Sequence, residues 1–220
     1  MADVNNGQGT CLNIGCADSV ADGWINLDSS PTLRIAAIPV AGKLLVRALD
    51  RPTRFDSAVY GDIVRGLKLP PGSCDLVFAS HVLEHLSMPD FETALENIHT
   101  YLRPGGILRV LVPDLRDYIE SYRRDAGDDA TASEAAPTFM TMSGLGCEGT
   151  RRSIGARLRE ALSNSRHQTM WDEPSLSAAL ARHGFTNIRS CRYGGWGDER
   201  FAAVELEIRH DRSICVEATK

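Results

Sequence analysis

Apolar and polar residues alternate along this chain in two rhythms, and each change of rhythm marks a new element. Cys74–Ala79 is an unbroken apolar run, as expected of a strand buried on both faces. Phe91, Ala94, Leu95, Ile98 and Leu102 then recur at helical spacing, behind an Asp90 placed to cap the start. Arg103-Pro104-Gly105-Gly106 ends that helix, because proline cannot continue it and glycine accepts positive φ. Ile107–Val112 is a second buried strand. Strand, helix and strand in this order predict a right-handed βαβ unit. Ligands of open α/β sheets bind at the carboxyl ends of the strands. His81, Glu84 and His85 fall at that end of the first strand, and a helical turn would place all three on one face.

The flanking segments extend the same alternation. Cys11–Ile14 is a short strand running into Gly15-Cys16-Ala17-Asp18, and Trp24–Leu27 is a strand closing on Asp28-Ser29. A strand ending at glycine, then one ending in a carboxylate, is the nucleotide-binding pattern of doubly wound folds. The acid comes 13 residues after Gly15, so 16–23 must be a tight connection with at most one helical turn. Residues 33–49 predict a helix beginning near Pro39, and Ser57–Tyr60 a third strand ending at Gly61-Asp62-Ile63. Past Pro113, a helix over 114–122 gives way to a degraded pattern through residue 165, which keeps apolar residues such as Phe139 and Leu158. An excursion of that kind predicts a lid or substrate cover, here 123–170. Asp172 caps a helix with Pro174 in its first turn, Phe185–Cys191 is a strand, 194–198 a loop, and Ser213–Ala218 the last strand. The sum is an α/β chain with a single domain over 11–220 behind a frayed tail of residues 1–10. Its sheet is parallel at first, with an antiparallel pair at one edge.

Composition narrows the class. A formal charge of −5 over 220 residues argues against a nucleic-acid binder held by bulk electrostatics. Six cysteines (11, 16, 74, 147, 191 and 215) show no CxxC pair, and Cys11, Cys74 and Cys215 sit inside predicted strands, which points to buried thiols in a reducing compartment. The polar amino terminus has no secretory pattern and no apolar run reaches the ~20 residues of a membrane span, so a cytoplasmic protein is expected. The basic face of residues 34–54 allows a weak membrane-surface contact, but a helix covering the sheet accounts for it more simply.

Together LNIGC (12–16), INLD (25–28), YGDI (60–63), CDLVFASHVLEHL (74–86) and LRPGGILRVLVPDL (102–115) resemble the class I S-adenosylmethionine-dependent methyltransferases, in particular the type-11 group. The later NSRHQTMWDEPSL is similar to a bacterial subgroup linked to polysaccharide biosynthesis. The resemblance implies a Rossmann-like, mostly parallel seven-stranded sheet in the order 3-2-1-4-5-7-6 with strand 7 antiparallel. It implies that Asn13, Gly15, Cys16 and Ala17 line the methionine end of S-adenosylmethionine. Asp28 and Ser29 would then meet the ribose, Gly61, Asp62 and Ile63 the adenine, and Ser80 and His81 the sulfonium. Asn13 stands where the family carries an acid and Ala17 where it carries a glycine.

The expected reaction is methyl transfer to a small polar acceptor, most simply an oxygen of a sugar or other hydroxyl compound, with S-adenosylhomocysteine as product. An oxygen acceptor needs a base, and His85, His81 and His167 are the candidates. Arg166, His167, Trp171 and Asp198 are the expected acceptor contacts. His81-x-x-Glu84-His85 also matches the H-x-x-E-H zinc-hydrolase motif. A hydrolase would need a further distant ligand, so that reading is remote; a divalent ion assisting methyl transfer at this turn is allowed but not favoured, because histidine in the first position suits magnesium poorly. A relative that binds the cofactor without turnover is the nearer alternative, motivated by Asn13, Ala17 and the shortened first connection.

Overall fold

The computed structural model describes residues 9–17, 19–30, 33, 58–146 and 166–220. The helix expected near Pro39, the basic face of 34–54, Cys147 and the first eight residues lie outside them. Seven strands form one sheet: β1 (Thr10–Ile14), β2 (Trp24–Asp28), β3 (Val59–Tyr60), β4 (Cys74–Ser80), β5 (Leu102–Pro113), β6 (Thr186–Cys191) and β7 (Ser213–Thr219). Their order is 3-2-1-4-5-7-6, with β7 antiparallel to both neighbours and the other pairs parallel. This is the expected Rossmann-like class I methyltransferase sheet. Thr10, expected in the tail, already pairs with Cys74.

Helix α1 (Met88–Tyr101) joins β4 to β5 and buries Phe91, Ala94, Leu95 and Ile98 against the sheet. Its cap is Ser87, not the expected Asp90. Ser87 has extended backbone, its Oγ accepts from the Asp90 N–H at 3.3 Å, and Pro89 lies in the first turn. Gly106 follows the helix because a Cβ there would lie 2.9 Å from the Arg103 carbonyl and 3.0 Å from that of Asp75. Asn97 and Tyr101 of α1 hold the loop after β3 through hydrogen bonds to Ile63 and Leu67. After β5, α2 (Leu115–Ala126) and α3 (Ala132–Met142) form a helical pair. The sequence pattern fades over 125–136, yet its alanine-rich part is helical, as intrinsic propensity favours. Asp172 caps α4 (Glu173–Arg182) as expected, its carboxylate accepting from Ser175 N–H.

The sheet has two differently covered faces. Val77, Ala79, Leu108 and Val110 pack with α1 and α4. Leu76 and Phe78 pack on the other side with Phe201, from the short 3-10 segment Glu199–Ala203, and with Val204 just after it. That second layer is anchored by Arg109 of β5, which is 0% exposed. Arg109 Nε donates to Glu205 at 2.7 Å and Nη1 to Glu217, its register partner on β7, at 2.6 Å. Nη2 donates to the Arg192 carbonyl at 3.0 Å. Replacing Arg109 by Leu takes from two buried carboxylates the cation they share, and a loss of about 3–5 kcal/mol in denaturant unfolding is expected.

Among the described residues, no helix is long and apolar enough to cross a membrane. The five described cysteines are free thiols, with Cys11, Cys74 and Cys215 buried as expected. Burial, then Lys220, pushes the His99 imidazole below its ordinary value. Below about pH 6.5 the unfolded chain therefore binds the proton that folded His99 refuses, and stability falls with pH. Thermal unfolding from pH 7.5 to 5.5 should show a shallower decline in His99→Gln than in the wild type.

Candidate active site

The carboxyl ends of β1, β2, β3 and β4 converge on one edge of the sheet. Gly15 follows β1 with φ +64°, and a Cβ there would lie 2.1 Å from Val82 Cγ2, so only glycine lets the loops after β1 and β4 meet. Cys16 N–H donates to the Leu27 carbonyl at 3.0 Å, and its side chain is buried. Ala17 N–H reaches Asp28 Oδ2 at 3.2 Å, while Asp28 Oδ1 accepts from Ser30 N–H at 2.7 Å. Ser29 follows β2 between Asp28 and Ser30 and is exposed.

Asn13 does not face this edge, contrary to expectation. It is buried, and its amide nitrogen donates to the Ser19 carbonyl at 2.6 Å and to Asn26 Oδ1 at 3.1 Å. Asn26, its register partner on β2, donates in turn to Ala21. The connection from β1 to β2 has no helix to satisfy its carbonyls internally, so two buried amides do so instead. Ala17 carries a second correction: its φ is +46°, the left-handed region in which a methyl group is strained. His81, at φ +54°, is strained in the same way. Two of the four non-glycine residues described with positive φ thus flank one cleft, and such strain gathers at functional sites.

At the end of β3, the Gly61 N–H donates to the Asp28 carbonyl at 3.2 Å. Asp62 Oδ1 accepts from Val64 N–H at 3.0 Å, and Oδ2 lies 3.3 Å from Arg65 Nε. Ile63 is largely within the core. An open cleft of about 370 Å³ runs beside them, lined in part by Leu27, Tyr60, Gly61, Asp62 and Leu67.

Beyond half-buried Ser80, the expected helical turn is a 3-10 segment, Leu83–His85, with His81 outside it. The polar cluster still forms, and residues 167–169 contribute to it. Gln168 and Thr169 N–H groups donate to the Glu84 carbonyl at 2.8 and 3.1 Å, which brings His167 alongside. The His85 and His167 rings stand edge to face, with centroids 4.9 Å apart. Burial pushes the His167 imidazole below its ordinary value, and Glu84 acts against that shift. The side chains of His81, His85 and His167 are 21%, 22% and 16% exposed, so the rings can be reached from solvent while Glu84 cannot. Glu84 is the hub of the cluster. The H-x-x-E-H spacing marks it in the sequence, but as part of a metal-type motif that is not favoured there.

Two expected acceptor contacts lie elsewhere. Asp198 sits at the opposite, amino end of the strands, where it pairs with Arg200, which also bonds Asp75 at the start of β4. Trp171 is 5% exposed and stacked on Phe91 at 4.4 Å, a core residue. Arg166 stays at the cleft, where its carbonyl takes the His85 ring.

Sequence and structure comparisons fit this geometry. A family profile described as a methyltransferase domain matches residues 3–190. The chain belongs to that family. With this sheet order, it is an S-adenosylmethionine-dependent methyltransferase. A probable methyltransferase of Aspergillus luteorubrus, ltbC, is 23% identical over 249 residues, spanning 94% of this chain and 84% of its own. An S-adenosylmethionine-dependent methyltransferase from Archaeoglobus fulgidus superposes with a TM-score of 0.48 at 13% identity, covering 97% of this chain and 87% of that one. A possible histamine N-methyltransferase from Thermotoga maritima gives 0.48 at 13% identity, covering 97% and 83%.

The methyltransferase cleft suits its cofactor on chemical grounds. Asp28 gives each oxygen to one backbone N–H, and a carboxylate accepts about four hydrogen bonds, which leaves room for two vicinal ribose hydroxyls. The loop strain makes its own test. Ala17→Gly should raise stability by up to about 1 kcal/mol in thermal unfolding. Gly15→Ala should lower both stability and affinity for S-adenosylhomocysteine.

Proposed function

We propose that this enzyme methylates an oxygen of a small polar acceptor, a sugar or other hydroxyl compound such as a glycan precursor. The supporting observation is the cluster of His81, His85 and His167 at the carboxyl end of β4, beside the loops that suit the cofactor. Bound S-adenosylmethionine supplies an electrophilic methyl group, so the protein must align the acceptor and take up the proton its hydroxyl loses. Imidazoles are the side chains that titrate near neutral pH, and these three rings are partly open to solvent. Asp28 holds the cofactor ribose, Gly15 and Ala17 let the backbone approach it, and Ser80 and His81 border the transferring methyl. Arg166 and His167 line the acceptor side from the cover.

Two measurements test this function in turn. Asp28→Ala should weaken S-adenosylhomocysteine binding by at least about tenfold, the loss expected for charge-assisted hydrogen bonds. Cofactor turnover is then measured against panels of sugar, phenolic and amine acceptors. Hydroxyl acceptors should release S-adenosylhomocysteine, with His85→Ala and His167→Ala lowering kcat by roughly 10²–10⁴. Turnover restricted to amines, or His variants with unchanged kcat, would overturn the assignment to oxygen.

A further inference from the structure

Glu84 is 0% exposed, yet neither of its carboxylate oxygens receives a hydrogen bond from any described residue. A buried carboxylate without donors is costly, so the groups that face it matter. Three ring nitrogens do: His81 Nδ1 at 3.4 Å, His85 Nε2 at 3.8 Å and His167 Nε2 at 3.9 Å, all from Oε1. Each ring commits its other nitrogen to a backbone carbonyl. His81 Nε2 donates to Arg209 at 2.9 Å, His85 Nδ1 to Arg166 at 3.1 Å and His167 Nδ1 to Ser143 at 2.7 Å. A carbonyl only accepts, so the proton of each neutral ring sits on the far nitrogen and a lone pair is left on the near one. Three lone pairs and a carboxylate therefore converge with no hydrogen between them.

Either a proton or a cation must supply the missing positive charge. A charged imidazole bonded to a carboxylate closes to about 2.7–2.9 Å, and none of these contacts does. The donor atoms of Glu84, His85 and His167 lie within 4.8 Å of one another. In a tetrahedral zinc site donor atoms stand roughly 3.3 Å apart, a contraction that small ring rotations provide. A ligating histidine almost always gives its second nitrogen to a carbonyl or carboxylate, which these rings already do. Glu205, His210 and Cys215 also gather metal-type ligands, but Glu205 already serves Arg109, His210 and Trp196, so no charge is missing there.

We propose that Glu84, His85 and His167 bind one divalent transition-metal ion of the zinc class. Two imidazoles and one carboxylate suit such an ion and disfavour magnesium or calcium, which prefer oxygen. His81 flanks the same oxygen, and three protein ligands leave a coordination position for a further donor. A hydroxyl bound there would lose its proton more readily, with the lone pair on His81 Nδ1 left to take it, which deepens the oxygen-acceptor reading and rests on it. Metal binding itself does not depend on that reading. The distant ligand that the H-x-x-E-H motif lacked in sequence is His167.

The test uses full-length protein freed of metal by dialysis against EDTA, then titrated with zinc chloride by calorimetry. Cobalt chloride serves as a second probe, read by visible absorption. One zinc per chain is expected, with a cobalt spectrum of tetrahedral nitrogen and oxygen ligation and no thiolate band. Affinity should fall at least tenfold in Glu84→Gln and in His167→Asn, each checked for wild-type circular dichroism. If Glu84→Gln does not fold, His167→Asn decides. Absence of stoichiometric uptake, a thiolate-type cobalt spectrum, or wild-type zinc affinity in folded His167→Asn overturns the proposal. Calorimetry is read without turnover, so its failure would leave methyl transfer to oxygen standing.

Discussion

Arg109 is the constraint on which one whole face of this sheet depends. A guanidinium in the middle of a central strand would be prohibitively expensive alone. It is tolerated because Glu217 stands opposite it on β7 and Glu205 comes to it from the segment after Phe201. The carbonyl of Arg192 and the ring of Phe201 complete its surroundings. One buried cation thus decides where residues 192–217 lie, and with them the second core layer of Leu76, Phe78, Phe201 and Val204. That layer also reaches the cofactor loop, because Ser19 Oγ donates to the Val204 carbonyl at 2.6 Å.

The cofactor loop is therefore held from two directions. Asn13 and Asn26 satisfy the carbonyls of the helix-free connection from within the sheet, and Val204 fixes Ser19 from outside. Gly15 and Ala17 are left between fixed points with positive φ, and their backbone curves towards the end of β2, where Asp28 waits. An acid at position 13 would have brought charge without a donor into a place that needs an amide N–H. In this chain that position serves the connection, and the carboxylate at the end of β2 is Asp28, which accepts from Ala17 and Ser30 N–H.

Across the cleft, Glu84 joins two parts of the chain that are far apart in sequence. Its backbone carbonyl takes Gln168 and Thr169, and its carboxylate collects His81, His85 and His167. The segment that leads into α4 is thus stitched to the turn after β4 before the helix begins. Further contacts at the end of β5, the Asp114–Trp171 bridge and the Leu115–Trp171 hydrogen bond, set the return path.

Much of this was legible in the sequence, because it depends on short-range pattern. The apolar runs of β4 and β5, the 3.6-residue period of α1, the Pro-Gly stop and the Asp172 cap each involve residues within a few positions of one another. The strand-end positions of Gly15, Asp28 and Asp62 come from the same local reading. Long-range pairing could not be read. Nothing near Arg109 in sequence announces Glu205 or Glu217, and nothing near Arg200 announces that Asp75 would draw it, and Asp198 with it, to the amino end of the strands. Trp171 reads as an acceptor contact until Phe91 is found beneath it. The cluster opened by His81, Glu84 and His85 was visible as a spacing. Only the tertiary structure brought His167 to it and left the carboxylate without a donor, because electrostatic complementarity acts between groups that chain folding, not sequence distance, makes neighbours.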